Sequence, residues 1–176
     1  MSAPKPRAER VVPALALQLS VQFASREHRA LLPRHLLARW VRAALRRGPD
    51  GRPPAPSGEA AQITLRFVGA DEGRQLNREF RRRDYPTNVL TFAYQSWPPC
   101  ADIVLCDSVV AAEAQAQDKA IADHYAHLVV HGVLHALGWD HLRDAQAQRM
   151  EQAEREILAR LGIGDPYGDG GGRGDA

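Results

Sequence analysis

The 176-residue chain has a formal net charge of +2, 44% hydrophobic and 25% charged residues, proportions that exclude a disordered or membrane-embedded polypeptide and suit one domain with a real core. Its longest apolar stretch, VVPALALQLSVQF, is broken by Pro13, Gln18 and Gln22, far short of the roughly 18 apolar residues of a membrane-spanning helix. Two cysteines, Cys100 and Cys106, exclude a disulfide framework and, with no secretory signal legible, agree with a cytoplasmic protein.

Residues 1–15, rich in proline and charge at their start, predict a flexible N-terminus. From Leu17 to Phe23, LQLSVQF alternates apolar and polar residues, the mark of a half-buried strand. In PRHLLARWVRAALRR, Pro33 suits a first helical turn, and Leu36, Leu37, Trp40, Val41, Ala44 and Leu45 form an apolar stripe. Arg39, Arg42 and Arg46 share the opposite face, either as a solvated face or as phosphate contacts. Residues 48–59 read as a Pro/Gly-rich surface loop, followed by the strand QITLRFVG. ADEGRQLNREF predicts a short helix with Asp71 near its cap and Leu76 and Phe80 on its buried side.

Arg81, Arg82 and Arg83 then form a basic turn before Pro86, where guanidinium forks suit a phosphate as well as solvent. A third strand is expected around Val89 to Phe92, and after the loop SWPPC, ADIVLC gives a fourth. On that reading Cys106 is a core residue and Cys100 a loop residue, some 20 Å away at about 3.3 Å per strand residue, too far to bridge. Helices are predicted over Val109–Gln117, Ile121–Leu137 and Asp144–Leu161, the last with Met150, Ala153, Ile157 and Leu161 facing inward. Gly162 supplies a helix stop, and residues 168–176 read as a disordered Gly-rich tail. The pattern predicts a single α/β (α+β) domain over residues 16–167.

Charge is unevenly spread. Residues 1–50 hold ten basic against three acidic side chains, and residues 107–176 six against twelve, a separation that suits a polyanionic partner.

The chemistry concentrates in HGVLHALGWDH, residues 131–141. His131 and His135 are one helical turn apart, so both imidazoles can reach one Zn²⁺. Gly138 ends the helix and the turn after it can return His141 as a third ligand, leaving a fourth position open as in a catalytic site. Three histidines packed as core would bury polar rings with too few partners. Gly132 stands where zinc proteases of this spacing carry a glutamate as general base, so peptide hydrolysis by that route is not expected. His124 and His127 lie on the same helical face as His131, as packing residues or as supports for a ligand or substrate. Asp140 is either turn chemistry or a group that orients a histidine or takes a proton.

LNREFRRRDYPTNVLTF (76–92), ADIVLC (101–106) and HLVVHGVLHALGWDH (127–141) together closely resemble the YbeY family of bacterial metal-dependent endoribonucleases, the rRNA maturation factors. The resemblance runs from about Val21 to Tyr167. It implies a small central, mostly four-stranded sheet packed by about five helices, with the metal-binding helix lining a cleft. It also implies one zinc per chain on His131, His135 and His141, with Arg81, in the Phe80-Arg81 pair where the family has Tyr-Arg, contacting RNA near the metal. The implied activity is cleavage of single-stranded RNA in maturation of the small-subunit rRNA 3′ end and in ribosome quality control. Implied partners are rRNA, the small ribosomal subunit, a ribosomal protein and an assembly GTPase, with no DNA and no membrane. The family commonly has glycine at the place of Ala101 and tyrosine at that of Trp139. RNA also suits Gly132, since attack by a ribose 2′-hydroxyl or by a metal-activated water needs no glutamate there. The competing readings are a non-catalytic, zinc-stabilised assembly factor that binds rRNA and, further off, a metalloprotease using Asp140.

Overall fold

The computed structural model describes residues 15–52 and 58–168; the flexible N-terminus and the Gly-rich tail expected from the sequence, and the centre of the 48–59 loop, lie outside the described residues. Four strands, β1 (Ala16–Phe23), β2 (Ala60–Val68), β3 (Val89–Ser96) and β4 (Pro99–Cys106), form one sheet in the order β1-β2-β4-β3. β1, β2 and β4 run parallel, and β3 returns antiparallel along the edge of β4. Among the described residues five helices pack around the sheet, α1 (Arg34–Leu45), α2 (Ala70–Arg81), α3 (Asp107–Ala116), α4 (Ile121–Ala136) and α5 (Asp144–Arg160), with a 3-10 turn at Arg29–Leu31. α1 makes the crossover from β1 to the parallel β2. No helix among the described residues is long and apolar enough to cross a membrane.

The sheet has two unequal faces. Ile63, Leu65 and Phe67 of β2 and Ile103 and Leu105 of β4 alternate onto the larger one and pack with Leu37, Trp40, Val41 and Leu45 of α1 and with α4. Phe67 anchors this layer, stacked on Phe23 with centroids 4.9 Å apart and edge-on to Tyr125. Burial of a side chain of that size contributes about 1.5–3 kcal/mol. Val68, Leu90, Val104 and Cys106 make a smaller cluster on the other face, covered by Leu76 of α2, Phe92 and Val109. Ten of the sixteen residues of α4 are buried, as expected of a helix apolar on most sides, because it lies between the sheet and α1, α3 and α5. The fully buried Tyr125 donates its hydroxyl proton to Asp107 at 2.8 Å and accepts from His28 Nδ1 at 2.8 Å.

Gly132 sets how closely α4 approaches the sheet. A Cβ at this position would lie 2.8 Å from Ile103 Cγ2 and 3.2 Å from Thr91 Oγ1, so any side chain would push the helix away from β3 and β4. Gly73 does the same for α2, where a Cβ would stand 3.0 Å from Cys106 Sγ.

Several elements differ from the sequence-based expectation. Phe80 is 58% exposed, because the contact line of α2 runs through the buried Gly73 and Asn77 and leaves Phe80 at its margin, edge-on to Phe92. Arg81 is the last residue of α2 rather than part of a turn, and Arg82 closes the helix at φ +57°. β3 continues to Ser96, beyond Phe92, because an edge strand pairs through its backbone whatever its exposed side chains. Cys100 lies within β4, paired with Gln62, rather than in a loop. Ala101 is buried in an unbroken stretch of β4, and the irregularity of this ladder falls on its partner, at Tyr94 of β3. α3 begins at Asp107, two residues earlier than expected. Gly162, at φ +78°, stops α5 as anticipated, and Ile163 N–H closes back on the Leu158 carbonyl.

The glycine seam generates a stability prediction. Gly132→Ala, which ordinarily favours a helix, is expected to destabilise the fold by about 1–3 kcal/mol through overpacking, read as a lower denaturation midpoint at unchanged m-value.

Candidate metal centre and cleft

His131 and His135 project from one face of α4, and His141 stands on the stretch after the helix. The helix ends at Gly138, whose φ of +91° lets the chain reverse, and Trp139 N–H bonds back to the Leu134 carbonyl. The Trp139 indole then donates to the Gly48 carbonyl at 2.8 Å, tying the returning turn to the end of α1. Asp140 is half-buried, and its Oδ1 accepts the His141 backbone N–H at 2.7 Å. One nitrogen from each of the three histidines lies within 4.8 Å of the other two, and the ring centroids are 4.5 to 5.7 Å apart.

Hydrogen bonds behind the rings decide which nitrogens face the centre. His131 Nδ1 donates to Glu154 Oε1 at 2.6 Å, and His135 Nδ1 donates to the Trp139 carbonyl at 3.0 Å. With Nδ1 engaged in this way, each ring turns its Nε2 inward, and these two atoms are 3.0 Å apart. Burial, together with the neighbouring His131 and His141, pushes His135 down to about 4, so this ring is neutral at pH 7. A pair of ring nitrogens at 3.0 Å is held together by a shared proton or by a cation between them. The donor set and its tautomers thus fit a metal ion.

Glu154 is the hub of this arrangement. It is fully buried on α5 and accepts from His131 Nδ1, from His127 Nε2 at 2.9 Å and from the Tyr167 hydroxyl. Burial alone would raise its pKa, but the hydrogen bonds from His127 and His131 hold the carboxyl down to about 2. His127, His131 and Glu154 form a second group whose ligand atoms lie within 4.8 Å of one another. One turn further back, His124 Nε2 donates to Glu113 at 2.7 Å, and Glu113 also accepts from Asn88 Nδ2 at 3.0 Å. His127 therefore supports Glu154, and His124 packs as a buried, hydrogen-bonded ring with its pKa lowered by burial.

In front of the histidines lies an open cleft of about 430 Å³, walled by β3 and the residues leading into it, Thr87 to Ala93, with Arg81 at its side. Of the three consecutive arginines only Arg81 lines this cleft; Arg82 occupies the helix cap, and Arg83 Nη1 donates to the Tyr85 hydroxyl at 3.0 Å. Arg39, Arg42 and Arg46 line a separate groove, together with Arg160. Sequence reasoning did not find Glu154, Glu113, Asn88 or the β3 wall. Glu154 did leave a signal. It falls four residues after Met150 and three before Ile157, a carboxylate on the buried stripe of α5.

Glu154→Gln keeps the shape of the hub but removes its charge and adds a donor that faces histidine donors. It is expected to lower zinc affinity about 10–100-fold, measured by competition with a chromophoric chelator, while circular dichroism shows the helices retained.

Comparison with known proteins agrees with this geometry. The family model of the endoribonuclease YbeY matches residues 22–162. Curated relatives named endoribonuclease YbeY include those of Methylibium petroleiphilum and Acidovorax sp. (strain JS42), 52% and 54% identical, the matches covering 86% of this chain and 94% and 95% of the relatives. The Bordetella pertussis protein of that name is 51% identical, over 88% of this chain and 98% of its own. The solution structure of TM1509 from Thermotoga maritima has the same fold, with a TM-score of 0.55 at 20% identity, covering 86% of this chain and 99% of that one. The three-histidine cleft thus sits within a match that spans most of the chain, which belongs to the YbeY endoribonuclease family.

Proposed function

We propose that the protein is a zinc-dependent endoribonuclease that cuts single-stranded RNA, acting in the cytoplasm on the 3′ end of small-subunit rRNA and in ribosome quality control. The observation that carries this reading is the convergence of His131, His135 and His141, with the Nε2 atoms of the first two turned inward, in an open cleft beside Arg81. Membership of the family supports RNA as the substrate, and the resemblance supports the small ribosomal subunit, a ribosomal protein and an assembly GTPase as partners.

His131, His135 and His141 would hold one zinc ion, which when bound supplies Lewis acidity toward a phosphoryl oxygen and an open coordination position. The Arg81 side chain makes no ion pair or hydrogen bond among the described residues, so its guanidinium is free to fork onto a phosphate in the cleft. Glu154 and the Trp139 carbonyl keep the Nδ1 protons of His131 and His135 pointing away from the substrate. Arg81 contributes charge stabilisation and positioning in the cleft, and Asp140, whose carboxylate acts electrostatically on His135, is the candidate to take a proton. The packed position of Gly132, where the protease pattern has its glutamate, argues against peptide hydrolysis by that route.

The test is cleavage of a single-stranded rRNA fragment by protein of measured metal content. His135→Ala and chelation are each expected to abolish cutting, with zinc restoring the chelated wild type. Cutting by His135→Ala at the wild-type rate would overturn the reading, and a folded, zinc-loaded wild type that binds the RNA without cutting it would favour an assembly factor. Arg81→Ala should slow cleavage about 100-fold with zinc content and melting temperature retained.

A further inference from the structure

We propose that the groove between α1 and α5 is a second RNA site, which holds the sugar-phosphate backbone of a single strand outside the histidine cleft. Its polyanion is RNA on the strength of the endoribonuclease reading above, and the groove itself rests on separate observations.

Arg39 and Arg42 of α1 and Arg46 at its C-cap, still in helical conformation, recur at i, i+3 and i+7, which places them on one face over a rise of about 10 Å. Arg160, in the last turn of α5, completes a concavity of about 350 Å³ floored by Ala43, Ile157 and Leu161. All four arginines are exposed and none of their guanidinium groups makes an ion pair or hydrogen bond among the described residues, Arg160 feeling only the more distant charge of Glu156. A merely solvated helical face ordinarily interleaves acids with its bases as i, i+4 pairs. α1, RHLLARWVRAAL, contains no acidic residue at all. Glu156 of α5 is already taken up by Arg47 and Gln152. Four guanidinium groups gathered at a concave, partly apolar surface repel one another, and an anion seated among them removes that repulsion.

The residue type narrows the ligand. Of the 23 basic residues of the chain only Lys5 and Lys119 are lysines, and all four at the groove are arginine, whose planar fork matches phosphate oxygens two at a time. Phosphates recur along a strand every few ångströms, so a rise of about 10 Å spans more than one of them. The groove is also rigidly mounted. Arg47 pairs with Glu156 across α1 and α5, and the Trp139 indole bonds to Gly48 just beyond α1, so the arginines are held in fixed relation to the histidine-bearing turn. Groove and cleft share no lining residue, so a strand must be longer to fill both than to fill the cleft alone.

The experiment compares a short oligonucleotide with a long single-stranded RNA on the zinc-loaded full chain. Arg39→Gln/Arg42→Gln is expected to raise KM for the long RNA roughly 10-fold, erase its advantage in kcat/KM over the short one, and lower the salt slope of long-RNA affinity by about 1.4, which is about 0.7 for each phosphate that an arginine no longer neutralises. Arg160→Gln, on the other helix, should give part of the same change and serves if the double variant fails to fold. The comparison variant Arg66→Gln/Arg74→Gln removes two arginines already engaged by Glu72 and Asp84 and should move the slope far less. Equal changes in both double variants, or none in the groove variants, would overturn the groove while leaving the nuclease reading intact. Retained RNA affinity with lost affinity for polyglutamate would overturn it in favour of an acidic protein. A wild type that neither binds nor cuts single-stranded RNA would overturn both.

Discussion

The candidate centre depends on α4 lying against the sheet with no side chain between them at position 132. Gly132 faces Ile103 and Thr91 at distances that a methyl group would violate. This close approach brings His131 and His135 alongside β3 and makes that strand a wall of the cleft. It also gives the missing protease glutamate a steric reason. A carboxylate at this position would point into the sheet, where it could neither be solvated nor reach a substrate. The glycine suits an RNA substrate, but packing alone already requires it.

A buried charge completes what the seam begins. A carboxylate removed from water is costly unless its oxygens are fully hydrogen-bonded, and Glu154 has two histidine donors and a tyrosine hydroxyl. Those donors come from two directions, from α4 and from the segment after α5, so α5 is joined to the histidine helix by polar contacts as well as by Met150, Ala153 and Ile157. The ring orientation of His131 is thereby set by a residue 23 positions away in the chain.

How much of this could be read from the sequence follows the range of the interaction involved. Period-two alternation in LQLSVQF and helical spacing in α1, α4 and α5 reported local structure directly, and the three histidines announced themselves by spacing. Phe80 did not, because which face of a short helix is buried depends on where glycine allows close packing, and Gly73 moved that line. The far end of β3 was hidden because Tyr94, Gln95 and Ser96 are exposed and the ladder is irregular at Tyr94, so no alternation of buried residues marks the strand there. Arg81, Arg82 and Arg83 are indistinguishable as a string; they separate only once α2 ends at Arg81 and Arg82 turns left-handed. Glu154 and the β3 wall required the sheet order and the docking of α5, which no local pattern carries.

The three histidines are mounted unequally. Two sit on a helix packed on almost every side, whereas His141 is exposed and follows Gly138 on a short irregular stretch. Local opening of such a stretch costs far less than unfolding a buried helix. An ion at this centre would therefore exchange on the timescale at which His141, beyond the tethered Trp139, swings away and returns. The strength of the site would be set by α4 and Glu154, and its residence time by the loop, so loop substitutions such as those at Trp139 could change how quickly metal is loaded without altering how tightly the helical pair holds it.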